Sequence, residues 1–171
     1  MNRPVALLVG LVVMPLVGYA PPARAMGGGA CTISGTINFA PTSTNPGRGV
    51  WSIEPAVISC QGVFRAYERI TGPGSFSGSG TYTETPAGSG TCLHHVGSGN
   101  VDYTIPTTEA DVRIKEPHEF VLAGAGAFAT PSLRGSFQVT PPYDGDCVAR
   151  PVTRATFIAE AVLTRVNGLD H

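Results

Sequence analysis

Residues 74–83 read GSFSGSGTYT, which composition alone would assign to a flexible Gly/Ser tether. Sorted by parity, the stretch is ordered. Gly74, Phe76, Gly78, Gly80 and Tyr82 fall on one side, and Ser75, Ser77, Ser79, Thr81 and Thr83 fall on the other. Successive side chains of an extended chain point to opposite faces. A period of two therefore predicts a strand with a wet hydroxyl face and a buried Gly-aromatic face.

The same period recurs along the chain. In TISGTINF (32–39), Ile33, Gly35, Ile37 and Phe39 oppose Thr32, Ser34, Thr36 and Asn38. GSGNVDYTI (97–105) sets Gly97, Gly99, Val101, Tyr103 and Ile105 against Ser98, Asn100, Asp102 and Thr104. DVRIKE (111–116) and RGSFQVT (134–140) alternate likewise, and HEFVLAG (118–124) fits a strand with Phe120 and Leu122 inward. In VWSIEPAVISC (50–60), Trp51, Ile53 and Val57 share a parity, but Pro55 interrupts the run. Proline cannot donate to a ladder, so an edge or a bulge is expected there. QGVFRAYERI (61–70) suits a helical stripe or a strand face equally.

RATFIAEAVLTRV (154–166) is the one long segment with a helical composition. Its β-branched Thr156, Ile158, Val162 and Thr164 favour a strand, with Ala155, Phe157, Ala159, Ala161 and Leu163 on one face. Turn chemistry separates the runs at Asn45-Pro46-Gly47, Pro86-Ala87-Gly88, Pro141-Pro142 and Asp144-Gly145. Together these predict an all-β fold of about seven to nine antiparallel strands, closed as a β-barrel or a β-sandwich.

The chain begins with Arg3, an apolar run from Val5 to about Val17, and Ala23-Arg24-Ala25. That order matches a secretory signal peptide over residues 1–25, followed by one β domain over 26–171. The apolar run of about 13 residues is short of the ~20 a spanning helix needs, so no transmembrane segment is expected after cleavage. Lipidation at Cys31 is not supported, because Gly28, Gly29 and Ala30 separate it from the apolar run. The expected location is secreted or cell-envelope.

After residue 25 there are nine Arg and Lys against twelve Asp and Glu, with Lys115 the only lysine and no basic cluster. Nucleic acid is therefore disfavoured as a partner. All four cysteines, Cys31, Cys60, Cys92 and Cys147, follow the signal, and an even count in an exported chain implies two disulfides. Their wide spacing argues against a zinc site. Cys31 and Cys60 are equidistant from the Asn45–Pro46 turn signal, so a hairpin folded there brings them face to face. That pairing leaves Cys92 with Cys147; the other two connectivities stay open.

Cys31 with TISGTINF, Ser59-Cys60 with Gly62, SGSGTYT, SGTC and DCVARPVTRATF together resemble small exported, disulfide-bonded, Gly/Thr-rich β proteins of actinobacteria. The resemblance spans most of the chain beyond the signal and carries no catalytic or binding residues with it.

Motifs for chemistry are scarce. There is no G-x-S-x-G elbow, phosphate loop or H-E-x-x-H. His94-His95 reads as a pair of loop histidines, since neighbours on a strand point apart and cannot easily share a metal, even with His118, Asp102 or Asp111 nearby. Asp144-Gly145-Asp146 opens like a calcium loop but lacks the rest of that pattern, so a tight turn is expected. Glu116-Pro117-His118-Glu119 reads as a solvated loop, and Ser132 and Ser136 have no local base. No cofactor and no metal site are expected.

The expected function is a non-enzymatic extracytoplasmic binding or interaction module whose partner is a protein, a glycan or a small apolar ligand. The alternative is a barrel carrying a small apolar ligand in a cavity lined by Phe76, Tyr82, Val101, Tyr103 and Phe137. An exported hydrolase using His94, His95 or His118 is the third reading. The inner glycines allow either a filled, bending barrel or an open interior.

Overall fold

A computed structural model describes residues 28–42, 45–65, 68–84, 94–123, 125–145 and 152–164, within which there are nine strands and no helix. In chain order they are β1 (Gly28–Thr42), β2 (Asn45–Arg65), β3 (Glu68–Arg69), β4 (Pro73–Glu84), β5 (His94–Pro106), β6 (Asp111–Ala123), β7 (Ala125–Ala129), β8 (Leu133–Tyr143) and β9 (Arg154–Leu163). All pairings are antiparallel. β1, β2 and β4 to β9 form an up-and-down meander that closes where β9 meets β1, giving an eight-stranded barrel. The two-residue β3 adds to the end of β2.

Closure can be followed rung by rung. From Ala40 the paired residues are Val50, Thr81, Ser98, Glu119, Ala129, Arg134, Val162 and finally Ala30. The path returns to β1 ten residues from where it left. A stagger of that size over eight strands tilts them by about 40° from the barrel axis, given ~3.3 Å per residue and ~4.8 Å between strands.

The interior is filled by the expected parity: Ile33, Trp51, Ile58, Val101, Tyr103, Ile105, Leu122, Leu133 and Leu163 are each almost completely buried. Large inner side chains face glycines across the ladder. Trp51 sits opposite Gly80, Phe120 opposite Gly97, Phe137 opposite Gly126, Phe128 opposite Gly135, and Phe157 opposite Gly35. A Cβ at Gly97 or Gly126 would run into the ring of Phe120 or Phe137. On β4, a Cβ on Gly78 would stand 3.2 Å from the Trp51 indole, whereas at Gly74 and Gly80 it would meet the backbone of β5. The outer wall carries Ser, Thr, Asn and charged side chains together with half-exposed Val50, Val57, Val96, Val121, Ile158 and Val162. Among the described residues no helix is long and apolar enough to cross a membrane.

β7 has only five residues, so Asp111–His118 of β6 and Val139–Tyr143 of β8 pair on one side only. Both open half-edges carry proline, Pro117 on β6 and Pro141-Pro142 on β8. Proline and charge on an edge discourage pairing with another strand, and Asp111, Arg113 and Lys115 add the charge.

Several sequence expectations are corrected here. Glu116-Pro117-His118-Glu119 is not a solvated loop but the middle of β6, and Glu116 and His118 point into the barrel. His94-His95 is not in a loop but opens β5, with His95 buried. Val57 is half exposed and does not share a face with Trp51 and Ile53. The cause is a bulge between Ile53 and Ala56, at the anticipated Pro55, which adds one residue and flips the parity after it. The segment from residue 61 continues β2 as a strand to Arg65. The first hairpin turns between Thr42 and Asn45, just before the Asn45-Pro46-Gly47 signal.

Register shifts at both places still leave Cys31 directly opposite Cys60, and the two form a disulfide. Cys92 and Cys147 lie outside the described residues. The disulfide fits an oxidising environment.

Candidate functional site

Three places could carry function: the centre of the barrel, a polar cluster at one rim, and a depression on the outer wall. At the centre, Ile33, Ile37, Trp51, Phe76, His118, Phe128, Phe137, Phe157 and Ala159 surround a cavity of about 40 Å³. A drug-sized ligand needs ~300 Å³ or more. Rings occupy the rest of the interior. His118 packs against Trp51 and Phe128, with ring centroids at 5.5 and 5.7 Å. Its Nδ1 is buried and has no hydrogen-bond partner among the described residues. Burial pushes its pKa down to about 4, so the ring is neutral at pH 7.

The polar cluster sits at the rim where β1 begins and β9 ends. The short connection from β7 to β8, Thr130-Pro131-Ser132, lies beside the open half-edge of β6. Glu116 reaches across: its carboxylate accepts from the Ser132 hydroxyl and from the Ser132 amide at 3.2 Å. The Tyr103 hydroxyl joins Ser132 Oγ, and Thr130 Oγ1 accepts from the amides of Ser132 and Leu133 at 3.2 and 2.7 Å. Ser132 is 0 % exposed. Burial raises the Tyr103 pKa well above that of a free phenol, more than its bond to Ser132 lowers it. The cluster is a stitch that holds the turn against β6, where the β7 ladder has ended.

The sequence-designated lining separates into two groups. Phe76 and Phe137 border the central cavity. Tyr82, Val101 and Tyr103 face inward but belong to other packing. Tyr82 meets Phe39 and His95 edge-on at 5.5 and 4.7 Å, and Tyr103 stacks on Phe76 at 5.9 Å. Sequence reasoning placed Glu116 and His118 in a loop, dismissed Ser132 as a nucleophile and gave Trp51 no role at the centre. The signal for two of them was present: Ile114, Glu116, His118, Phe120 and Leu122 share one parity, so the alternation passes through Pro117 unbroken.

The outer depression, of about 550 Å³, runs across β4 to β7. Thr81, Thr83, Val96, Ser98, Glu119, Val121, Ala127 and Ala129 form it. It is concave because β7 presents only alanines there, beside half-exposed Val96 and Val121. No known protein family, curated protein or solved structure matches this chain. Among the described residues no group of three or more His, Cys, Asp and Glu side chains is placed to hold a metal ion. The Asp144 carboxylate accepts from the amides of Thr153 and Arg154 at 2.8 and 2.9 Å, and the Thr153 hydroxyl holds its pKa low.

Proposed function

We propose that the chain is an exported, non-enzymatic barrel domain that binds an extracytoplasmic protein partner through its outer wall. One contrast carries this reading. The concavity on the outer wall is about 550 Å³ and that at the centre about 40 Å³. A carrier needs the opposite proportion. The burial of Ser132, His95 and His118 supports a non-enzymatic role, since each is at most 6 % exposed. The depression combines valine, alanine and hydroxyl groups with one carboxylate, Glu119. Its aromatic members, Tyr82, Phe120 and Phe128, are buried in the wall, so no ring is offered for stacking on a sugar. That favours a protein surface over a glycan. The Cys31–Cys60 disulfide and the signal-like residues 1–25 support export, with Met26 starting the exported chain.

The test compares baits in pull-downs from the envelope fraction. A V96E/V121E protein should lose partners that wild type retains, whereas Ile158→Glu, on the far wall, should keep them. Partners retained equally by all three baits would overturn the reading.

A further inference from the structure

The outer-wall reading leaves the centre of the barrel without a role, yet two observations there point to a ligand. The first is the cavity itself. Its volume of about 40 Å³ exceeds the ~10–15 Å³ that a single water requires, and its lining is aliphatic or aromatic except for His118. The second is His118. The residue is 6 % exposed, it borders the cavity, and Nδ1 has no hydrogen-bond partner among the described residues. The Trp51 indole N–H cannot serve as that partner, because it donates to the Ser98 carbonyl at 3.2 Å. A buried nitrogen left unpaired is costly, and a guest that satisfies it gains what the barrel lacks.

Water suits this site poorly. It needs two to four polar partners, and the lining offers one. An ion suits it worse, since nothing in the lining opposes a charge. What fits is a neutral molecule with an apolar body and one hydroxyl. A hydroxyl both donates and accepts, so it pairs with Nδ1 whether or not that nitrogen carries the proton.

We infer that the centre of the barrel is a binding site for one small neutral alcohol, anchored on His118 Nδ1 and enclosed by Trp51, Phe128 and Phe137. The volume admits methanol and disfavours each added carbon. A ligand of two non-hydrogen atoms can bind no tighter than roughly 10 mM, so the site is a weak one by size alone.

The experiment titrates the folded protein with methanol, ethanol and 1-propanol, and separately with xenon as an apolar probe of similar size. The readouts are the NMR signals of the His118 imidazole and the Trp51 indole. Methanol should give saturable shifts at both, weakening at least threefold per added carbon. His118→Phe keeps an aromatic ring at this position and removes the hydrogen-bonding atom; it should weaken methanol at least fivefold and leave xenon within twofold. Ala159→Val, which narrows the cavity from β9, should weaken both probes. Shifts that rise linearly without saturation in wild type would overturn the site. Methanol binding unchanged in His118→Phe would overturn the anchor. Should His118→Phe not fold, the size series in wild type and the Ala159→Val comparison still decide whether the site exists.

Discussion

Replacing His118 by phenylalanine should remove a pH dependence that the wild-type barrel carries. The imidazole is buried among Trp51, Phe120 and Phe128, and burial alone lowers its pKa from 6.5 to about 4. Below pH 6.5 the unfolded chain takes up a proton that the folded barrel refuses until about pH 4. The stability contributed by the neutral ring is therefore fully present above pH 6.5 and is lost as pH falls through that window. At ~1.36 kcal/mol per pKa unit the total is about 3 kcal/mol, of which about 2 disappears between pH 7 and pH 5. Urea unfolding at pH 7, 6 and 5, followed by far-UV circular dichroism, measures this directly. Wild type should lose about 2 kcal/mol more than the variant across that range. Trp51, the only tryptophan, has its ring centroid 5.5 Å from that of His118 and reports the same protonation through quenching of its fluorescence. A wild-type-minus-variant difference that stays constant from pH 7 to pH 5 would refute a buried neutral His118.

Gly97→Val forces a branched side chain into the ring of Phe120 and should cost about 1–3 kcal/mol in chemical denaturation, whereas Ser98→Val, one residue on and facing outward, should change little. Ser132→Ala removes the hydroxyl shared by Glu116 and Tyr103 and should cost about 1–3 kcal/mol, with faster amide exchange at Leu133 as the local sign. Replacing Cys31 and Cys60 together by serine reopens a separation of 29 residues and should lower stability by about 3–4 kcal/mol on the chain-entropy account. A K115T/P117T double substitution restores a donor and removes a charge on the open half-edge of β6. Light scattering should show concentration-dependent self-association for that variant and a monomer for wild type.

Much of the fold was legible because a strand writes its two faces into alternate residues. GSFSGSGTYT declared a strand, and so did 97–105 and 154–163, where Ala, Phe and Leu alternate with β-branched and charged residues. The Cys31–Cys60 bridge could be reached by counting back from a turn, although that turn lies slightly earlier than its signal. Reading went wrong where local chemistry masked the period. Pro117 among three charged or titratable neighbours looked like a loop, although Glu116 and His118 keep the parity of Ile114 and Phe120. Pro55 was rightly suspected of a bulge, but the reversal of faces beyond it, which sends Val57 outward, shows only in the paired register.

The sequence by itself determined the regularly alternating strands, their two faces and the all-β class, because alternation is a property of adjacent residues. The tertiary structure alone decided the ten-residue stagger, the short β7 that leaves prolines on two half-edges, and the burial of Glu116 and His118. Each of these depends on how eight ladders close on one another. The inner glycines show the same division: their parity is local, but the rings that need their space, Trp51, Phe120 and Phe137, come from other strands. Ring closure places them there, and with them the size of what remains at the centre.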